Sequence, residues 1–197
     1  MKSELTWVEV SKSALKNNIE TFRRIVGKDC VLAPCVKANA YGHGLVETGK
    51  IYLKAGADWL SVNSLFEARA LRQSGVNSPI YVLGYIPLAG LLEAINLDLR
   101  FVVYNRETIE EIAGMDLGDA EVRIHLKAET GNNRQGLFLE EIVDFAEYIK
   151  EKCPNIIIEG LTTHFANIED TTDHSYAEKQ LKKFKEIEAK LEEAGFI

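Results

Sequence analysis

Val31-Leu32-Ala33-Pro34-Cys35-Val36 runs directly into Lys37-Ala38-Asn39-Ala40-Tyr41-Gly42-His43-Gly44, and this junction decides how the chain is read. An apolar run of that length, bounded by turn-forming residues, has the character of a buried strand. Lys37 stands at the C-terminal tip of that strand, and a glycine-bracketed turn separates it from the helical pattern of residues 45–55. Strand, turn and helix make the repeating unit of an α/β fold, in which ligands gather at the C-terminal ends of the strands. A primary amine held there suits a Schiff base with a carbonyl compound. The same lysine could equally snorkel from a strand end into water.

The unit repeats outward from this point. Further strand-like runs fall at residues 58–62, 80–83, 101–104, 122–126 and 156–161, and helix patterns at 65–74, 88–95, 107–113 and 139–150. Upstream, the alternating Trp7-Val8-Glu9-Val10 precedes a helix capped by Ser11 or Ser13, with Leu15, Ile19, Phe22 and Val26 on one face and Gly27 as the stop. Ser64-x-x-Glu67 is a capping box, Gly56, Gly75 and Pro154 punctuate helix ends, and a last helix over residues 176–194 closes at Gly195. Strands alternating with helices require a parallel sheet covered by helices. A doubly wound open sheet accommodates six such strands. A TIM barrel needs eight strands and about 250 residues, which leaves this chain two units short. No linker or low-complexity tract divides residues 1–197, so one domain is expected.

The 197 residues suffice for a well-buried core, and 46% hydrophobic with 27% charged residues is ordinary for a globular protein. A net charge of −7 argues against nucleic acid as a partner, though a single basic pocket could still take a phosphorylated small molecule. Cys30, Cys35 and Cys153 form no CxxC pair, which suits a reducing compartment. His43, His125, His164 and His174 show no zinc spacing, so no metal site is expected. The start at Met1 has no apolar leader and no run reaches membrane-spanning length, so the expected location is the cytoplasm, with no membrane partner. No GxGxxG follows a strand, and Gly44-x-x-x-x-Gly49-Lys50 fails as a phosphate loop at Ile51, which lacks the hydroxyl for Mg²⁺.

Two other strand ends carry chemistry. In Arg123-Ile124-His125-Leu126-Lys127-Ala128-Glu129, alternation puts the four ionisable residues on one face. Both faces of a parallel sheet are normally covered, so such a row is costly unless it lines a site; an edge strand with a solvated face is the alternative. Thr130-Gly131-Asn132-Asn133-Arg134-Gln135-Gly136 then forms a polar loop, and Gly160-Leu161-Thr162-Thr163-His164 ends a further strand on a histidine. Such a histidine can be catalytic or simply a satisfied structural group.

The string Val36–Gly44, with the Lys127 strand and His164 in the same order, resembles the alanine racemase family, and the resemblance extends from Trp7-Val8-Glu9-Val10 to the last helix. It implies an α/β fold of (β/α)8 TIM-barrel type, incomplete at about six β/α units, and an isomerase that interconverts L- and D-alanine with pyridoxal 5′-phosphate (PLP). By that resemblance Lys37 is the catalytic lysine that forms the aldimine with PLP, and Tyr41 reaches the cofactor phosphate. Lys127 matches a lysine that is N-carboxylated in many members, and Arg134 the arginine that contacts this carbamate, the cofactor hydroxyl and the substrate carboxylate. Asn132 lies in the substrate-carboxylate loop, and His164 beside the pyridine ring. A carbamate would turn two repelling cations, Lys127 and Arg134, into an ion pair.

Against the family pattern, the chain ends where a seventh strand is expected, before a β-rich C-terminal domain. The phosphate loops after the last strands and the opposite-face tyrosine are not among its residues. Glu129 stands where aspartate is usual, and Asn132-Asn133 replaces the usual carboxylate-loop residues. The resemblance therefore implies a chain weak or inactive alone, working as a homo-oligomer or completed by the remaining portion. Other readings of the same residues are a non-catalytic PLP-binding barrel, an α/β scaffold domain, and a related decarboxylase.

Overall fold

The computed structural model describes residues 5–196; the leaderless start expected at residues 1–4 lies outside them, as does Ile197. The chain divides into two compact units, residues 1–83 and 84–197.

The first unit opens on α1 (Lys12–Val26), which begins because Ser11 accepts the Ala14 N–H and ends at Gly27, whose positive φ no other residue adopts as cheaply. Leu15 and Ile19 of its predicted apolar face are buried, but Phe22 is 55% exposed and borders an open cleft with Leu32, Pro34 and Tyr52. The last turn is fastened by polar contacts instead. Arg23 donates to the carbonyls of Gly27, Cys30 and Gly56 and pairs with Asp58.

The predicted strand over residues 31–36 is only a single parallel bridge, Cys35 to Ser61. Its hydrogen bonds follow β1 (Leu60–Val62): Leu32 O accepts Asp58 N at 2.9 Å, Pro34 O accepts Ser61 N at 3.0 Å, and Val36 N donates to Ser61 O at 2.8 Å. Pro34 has no N–H to return, and that gap breaks the ladder. A five-residue turn α2 (Lys37–Tyr41) follows, then α3 (Leu45–Lys54), α4 (Leu65–Gln73) and β2 (Ile80–Val82), parallel to β1 in the register Leu60–Ile80 and Val62–Val82. Leu60, Val62, Leu71, Ile80 and Val82 are fully buried, and Gly49 on α3 lets the helix approach so closely that a Cβ there would lie 2.9 Å from Leu60 Cδ1.

In the second unit a 3-10 turn (Leu88–Gly90) leads into α5 (Leu91–Asn96), dividing what the sequence presents as one helix. There follow β3 (Leu99–Val103), α6 (Arg106–Ala113), β4 (Val122–Lys127), α7 (Ile142–Lys152), β5 (Ile156–Thr162) and α8 (Ser175–Glu193). β4 pairs in parallel with both β3 and β5. Between Ile124 and His125 the β5 partner steps from Ile158 to Gly160, so Glu159 is the extra residue of a bulge. Phe101, Ile109, Ile124, Leu126, Ile142, Ile149, Ile187 and Leu191 make the core. Among the described residues no helix is long and apolar enough to cross a membrane.

The Ser64 hydroxyl accepts the Glu67 N–H at 3.3 Å while Glu67 Oε2 accepts the Ser64 N–H at 3.1 Å, which completes the predicted capping box. Ser64→Ala is expected to lower stability by about 1 kcal/mol in urea unfolding with an unchanged m-value.

Candidate active site

Lys37 is half-buried, directly after the fully buried Val36. The residues that follow it do not form an ordinary turn. Ala38, Asn39, Ala40 and Tyr41 have φ of 52°, 56°, 53° and 54°, one left-handed turn built from L-residues. Each such residue costs roughly 1–2 kcal/mol, least for asparagine. The surroundings hold it in place. Ala40 N donates to Val36 O at 2.8 Å, Gly44 N to Asn39 O at 2.9 Å, and Leu45 N to Asn39 Oδ1 at 2.9 Å. Glu67 adds the long-range tie: Oε1 accepts Ala38 N at 2.7 Å while Oε2 accepts Asn63 N at 2.8 Å. Tyr41 is 63% exposed, and its hydroxyl, hydrogen-bonded with Cys35, has its pKa raised by that bond first and by burial second.

The ionisable row on β4 separates into two parts. Arg123 and His125, nearer the start, meet Glu159 from the bulge; His125 Nε2 lies 3.4 Å and Arg123 Nε 3.8 Å from its carboxylate, and Arg100 of β3 lies 3.3 Å from it. Burial lowers the His125 pKa despite Glu159, with Arg100 pushing the same way. These residues form an ion cluster on β3, β4 and β5.

Lys127 and Glu129 at the other end are 5% and 4% exposed. Burial, and then Arg134, bring the Lys127 pKa down from 10.5 to about 8, with Glu129 opposing. Burial alone would raise the Glu129 carboxyl, but the backbone N–H groups of Asn133, Gly131, Arg134 and Asn132 outweigh it, and the group stays below its usual pKa. Two of these bonds are short to moderate: Gly131 N to Oε1 at 2.5 Å and Arg134 N to Oε2 at 3.2 Å. Glu129 thus shapes the loop carrying Asn132, half-buried, and Arg134, exposed. Gly136 closes the loop so tightly that a Cβ there would lie 2.6 Å from Glu129 N.

His164 is exposed just beyond β5, and its carbonyl accepts from Gln180 of α8 at 3.1 Å. Lys37 and Tyr41 therefore share one turn of the first unit, while Lys127, Asn132, Arg134 and His164 occupy adjoining strand ends of the second. Sequence reasoning passed over Glu67's reach to Ala38 and Gln180 altogether. The available signal for Gln180 was a polar residue on the same helical face as Ala177, Ile187 and Leu191. Among the described residues no group of three or more His, Cys, Asp or Glu side chains could hold a metal ion.

Parallel strands with covering helices, and polar side chains beyond their C-terminal ends, define a β/α domain of TIM-barrel type, here incomplete. The family model for the N-terminal domain of alanine racemase matches residues 10–197, and the chain belongs to that family. It is 41% identical to an alanine racemase of Methanococcus maripaludis over 99% of this chain and 52% of that protein. Against alanine racemase 1 of Bacillus subtilis the identity is 38% over 94% of this chain and 47% of the relative. The crystal structure of the Bacillus anthracis alanine racemase with bound L-Ala-P superposes with a TM-score of 0.90 at 35% identity, covering 98% of this chain and 50% of that one. The chain thus spans about half the length of the relatives it matches.

The depressed Lys127 pKa gives a stability profile with a definite sign. Between about 8 and 10.5 the unfolded chain holds a proton on this amine that the folded chain does not, so stability rises with pH across that window. In CO2-free buffer Lys127→Met is expected to stabilise the chain by up to about 3 kcal/mol at pH 7, where the charged amine is fully penalised. The gain should shrink to nothing by pH 11, as followed by denaturant unfolding at several pH values.

Proposed function

We propose that this chain carries the lysine-bearing part of a PLP-dependent amino acid racemase acting on alanine, and that Lys37 is the residue that binds the cofactor. The observation that carries this reading is a half-buried primary amine set two residues beyond the Cys35–Ser61 bridge and followed by a left-handed turn that Glu67 holds from 29 residues away. The donor set suits PLP: an amine for its carbonyl, and a buried lysine with a neighbouring arginine whose positive charge suits anionic groups. Relatives named alanine racemase, and the Bacillus anthracis structure with L-Ala-P, support alanine as the substrate.

When bound, PLP supplies an electron sink that acidifies the Cα–H of an amino acid. The chain's own residues do the rest. Lys37 Nζ takes and returns the Cα proton on one face. Tyr41 would help hold the cofactor phosphate, and His164 would help hold its ring. Lys127, deprotonated in part because its pKa is about 8, attacks CO2. The Nζ–C bond forms, one N–H proton leaves to solvent, and the resulting carbamate anion pairs with Arg134. Arg134 and Asn132 orient the substrate carboxylate. The same reading places this chain in a self-associated or partner-completed species, which the apolar surface beside β5 supports: Ile157 is 37% exposed next to Pro154 and Phe196.

Incubation with PLP is expected to give a yellow absorbance band that Lys37→Ala abolishes. D-alanine formation by the 197-residue chain should run ~10²–10⁴-fold below full-length relatives, because the residues assigned here include no acid–base group for the opposite face. A band with no racemisation at all would favour a binding-only protein, and no band would leave a scaffold domain.

A further inference from the structure

Helix α8 places one buried amide between two strand ends of the second unit. Gln180 is 1% exposed. Its Nε2 donates to Thr130 Oγ1 at 3.2 Å and to His164 O at 3.1 Å, and its Oε1 accepts Ala166 N at 2.8 Å. Both donors and the carbonyl of the amide are therefore in use. The hydroxyls beyond it form a chain of fixed direction. Thr163 Oγ1 donates to Ala128 O at 3.1 Å, so the 2.7 Å bond between Thr130 and Thr163 must have Thr130 as donor, which leaves Thr130 Oγ1 to accept from Gln180. One turn earlier on α8 the Tyr176 hydroxyl donates to Gly131 O at 2.5 Å.

We propose that Gln180 is a positioning residue: it locks the loop carrying Asn132 and Arg134 to the strand end carrying His164. Both sets then hold one geometry toward the ligand. This rests on the proposed function for what the ligand is, but the lock itself does not. Loss of the amide takes one partner from Thr130 Oγ1, which is buried, and one each from His164 O and Ala166 N, which are part-buried, and hydrogen bonds in such connected networks polarise one another.

The test uses the 197-residue chain, with Gln180→Leu as a shape-preserving change and Gln180→Glu as a conditional one. By amide hydrogen exchange, Gln180→Leu is expected to speed Ala166 and also Arg134 by ~10-fold or more, with Phe101 in β3 unchanged. With PLP as the probe, followed by absorbance, binding should weaken ~10-fold in Gln180→Leu. In Gln180→Glu it should be near wild type at low pH, where the neutral acid still donates one bond. Taken as a ratio to wild type at the same pH, it should then fall as pH rises through the burial-raised carboxyl pKa, whereas the ratio for Gln180→Leu stays level. Faster exchange at Ala166 with Arg134 unmoved would overturn the lock. So would unaltered PLP binding in both variants while wild type binds. A wild-type chain that gives no PLP band counts against the proposed function instead, and the exchange comparison then decides the lock by itself.

Discussion

Glu67 accepts backbone N–H groups from two separate stretches, Asn63 and Ser64 on one side and Ala38 on the other. The first pair starts α4; the last fixes the residue after Lys37. A left-handed turn of four L-residues has no intrinsic reason to persist, and each of its members prefers another conformation. It stands because its N–H groups and carbonyls are answered locally by Val36 and Asn39, and from across the unit by a carboxylate that α4 holds in position. Strained backbone directly after Lys37 is the kind of constraint that holds one amine in a single orientation.

Electrostatics organises the second unit in a comparable way. Glu129 is buried yet ionised, because four backbone N–H groups of one loop surround it. Lys127, buried beside it, receives less compensation, and Arg134 adds repulsion. The imbalance leaves an amine that sheds its proton near pH 8, and the neutral amine is the form able to act as a nucleophile or to take up CO2. Nearer the start of the same strand Arg123 and His125 meet Glu159 of β5, which Arg100 of β3 also reaches, and their charge is met within the strands.

Periodicity alone carried most of the elements. The helices over residues 45–54 and 65–73 and the parallel strands fall within a few residues of where apolar spacing and glycine stops place them. The row Arg123, His125 and Lys127 on β4 was legible because alternation is strict in a strand; the strand stops at Lys127, and Glu129 is buried two residues beyond it. What escaped depends on partners far away in sequence. Nothing near Ala38 announces a left-handed turn held by Glu67. Nothing near Ile157 announces a bulge, and a glutamine on a mostly charged helix looks like surface until its three partners are known. Phe22 misled in the opposite direction: its spacing on α1 is right, but the unit leaves an open cleft there.

The bulge on β5 also constrains how this region can vary. It sets Gly160 opposite His125, and a Cβ at 160 would come within 3.0 Å of the imidazole. Any larger residue at 160 obliges the ring to shift by a few tenths of an ångström, and with it the contact to Glu159 beside Arg100 and Arg123. A smaller residue at 125 would make room for a side chain at 160 but would leave the carboxylate to the two arginines. Positions 125 and 160 are therefore coupled in packing, and the cost of a change at one depends on the residue at the other.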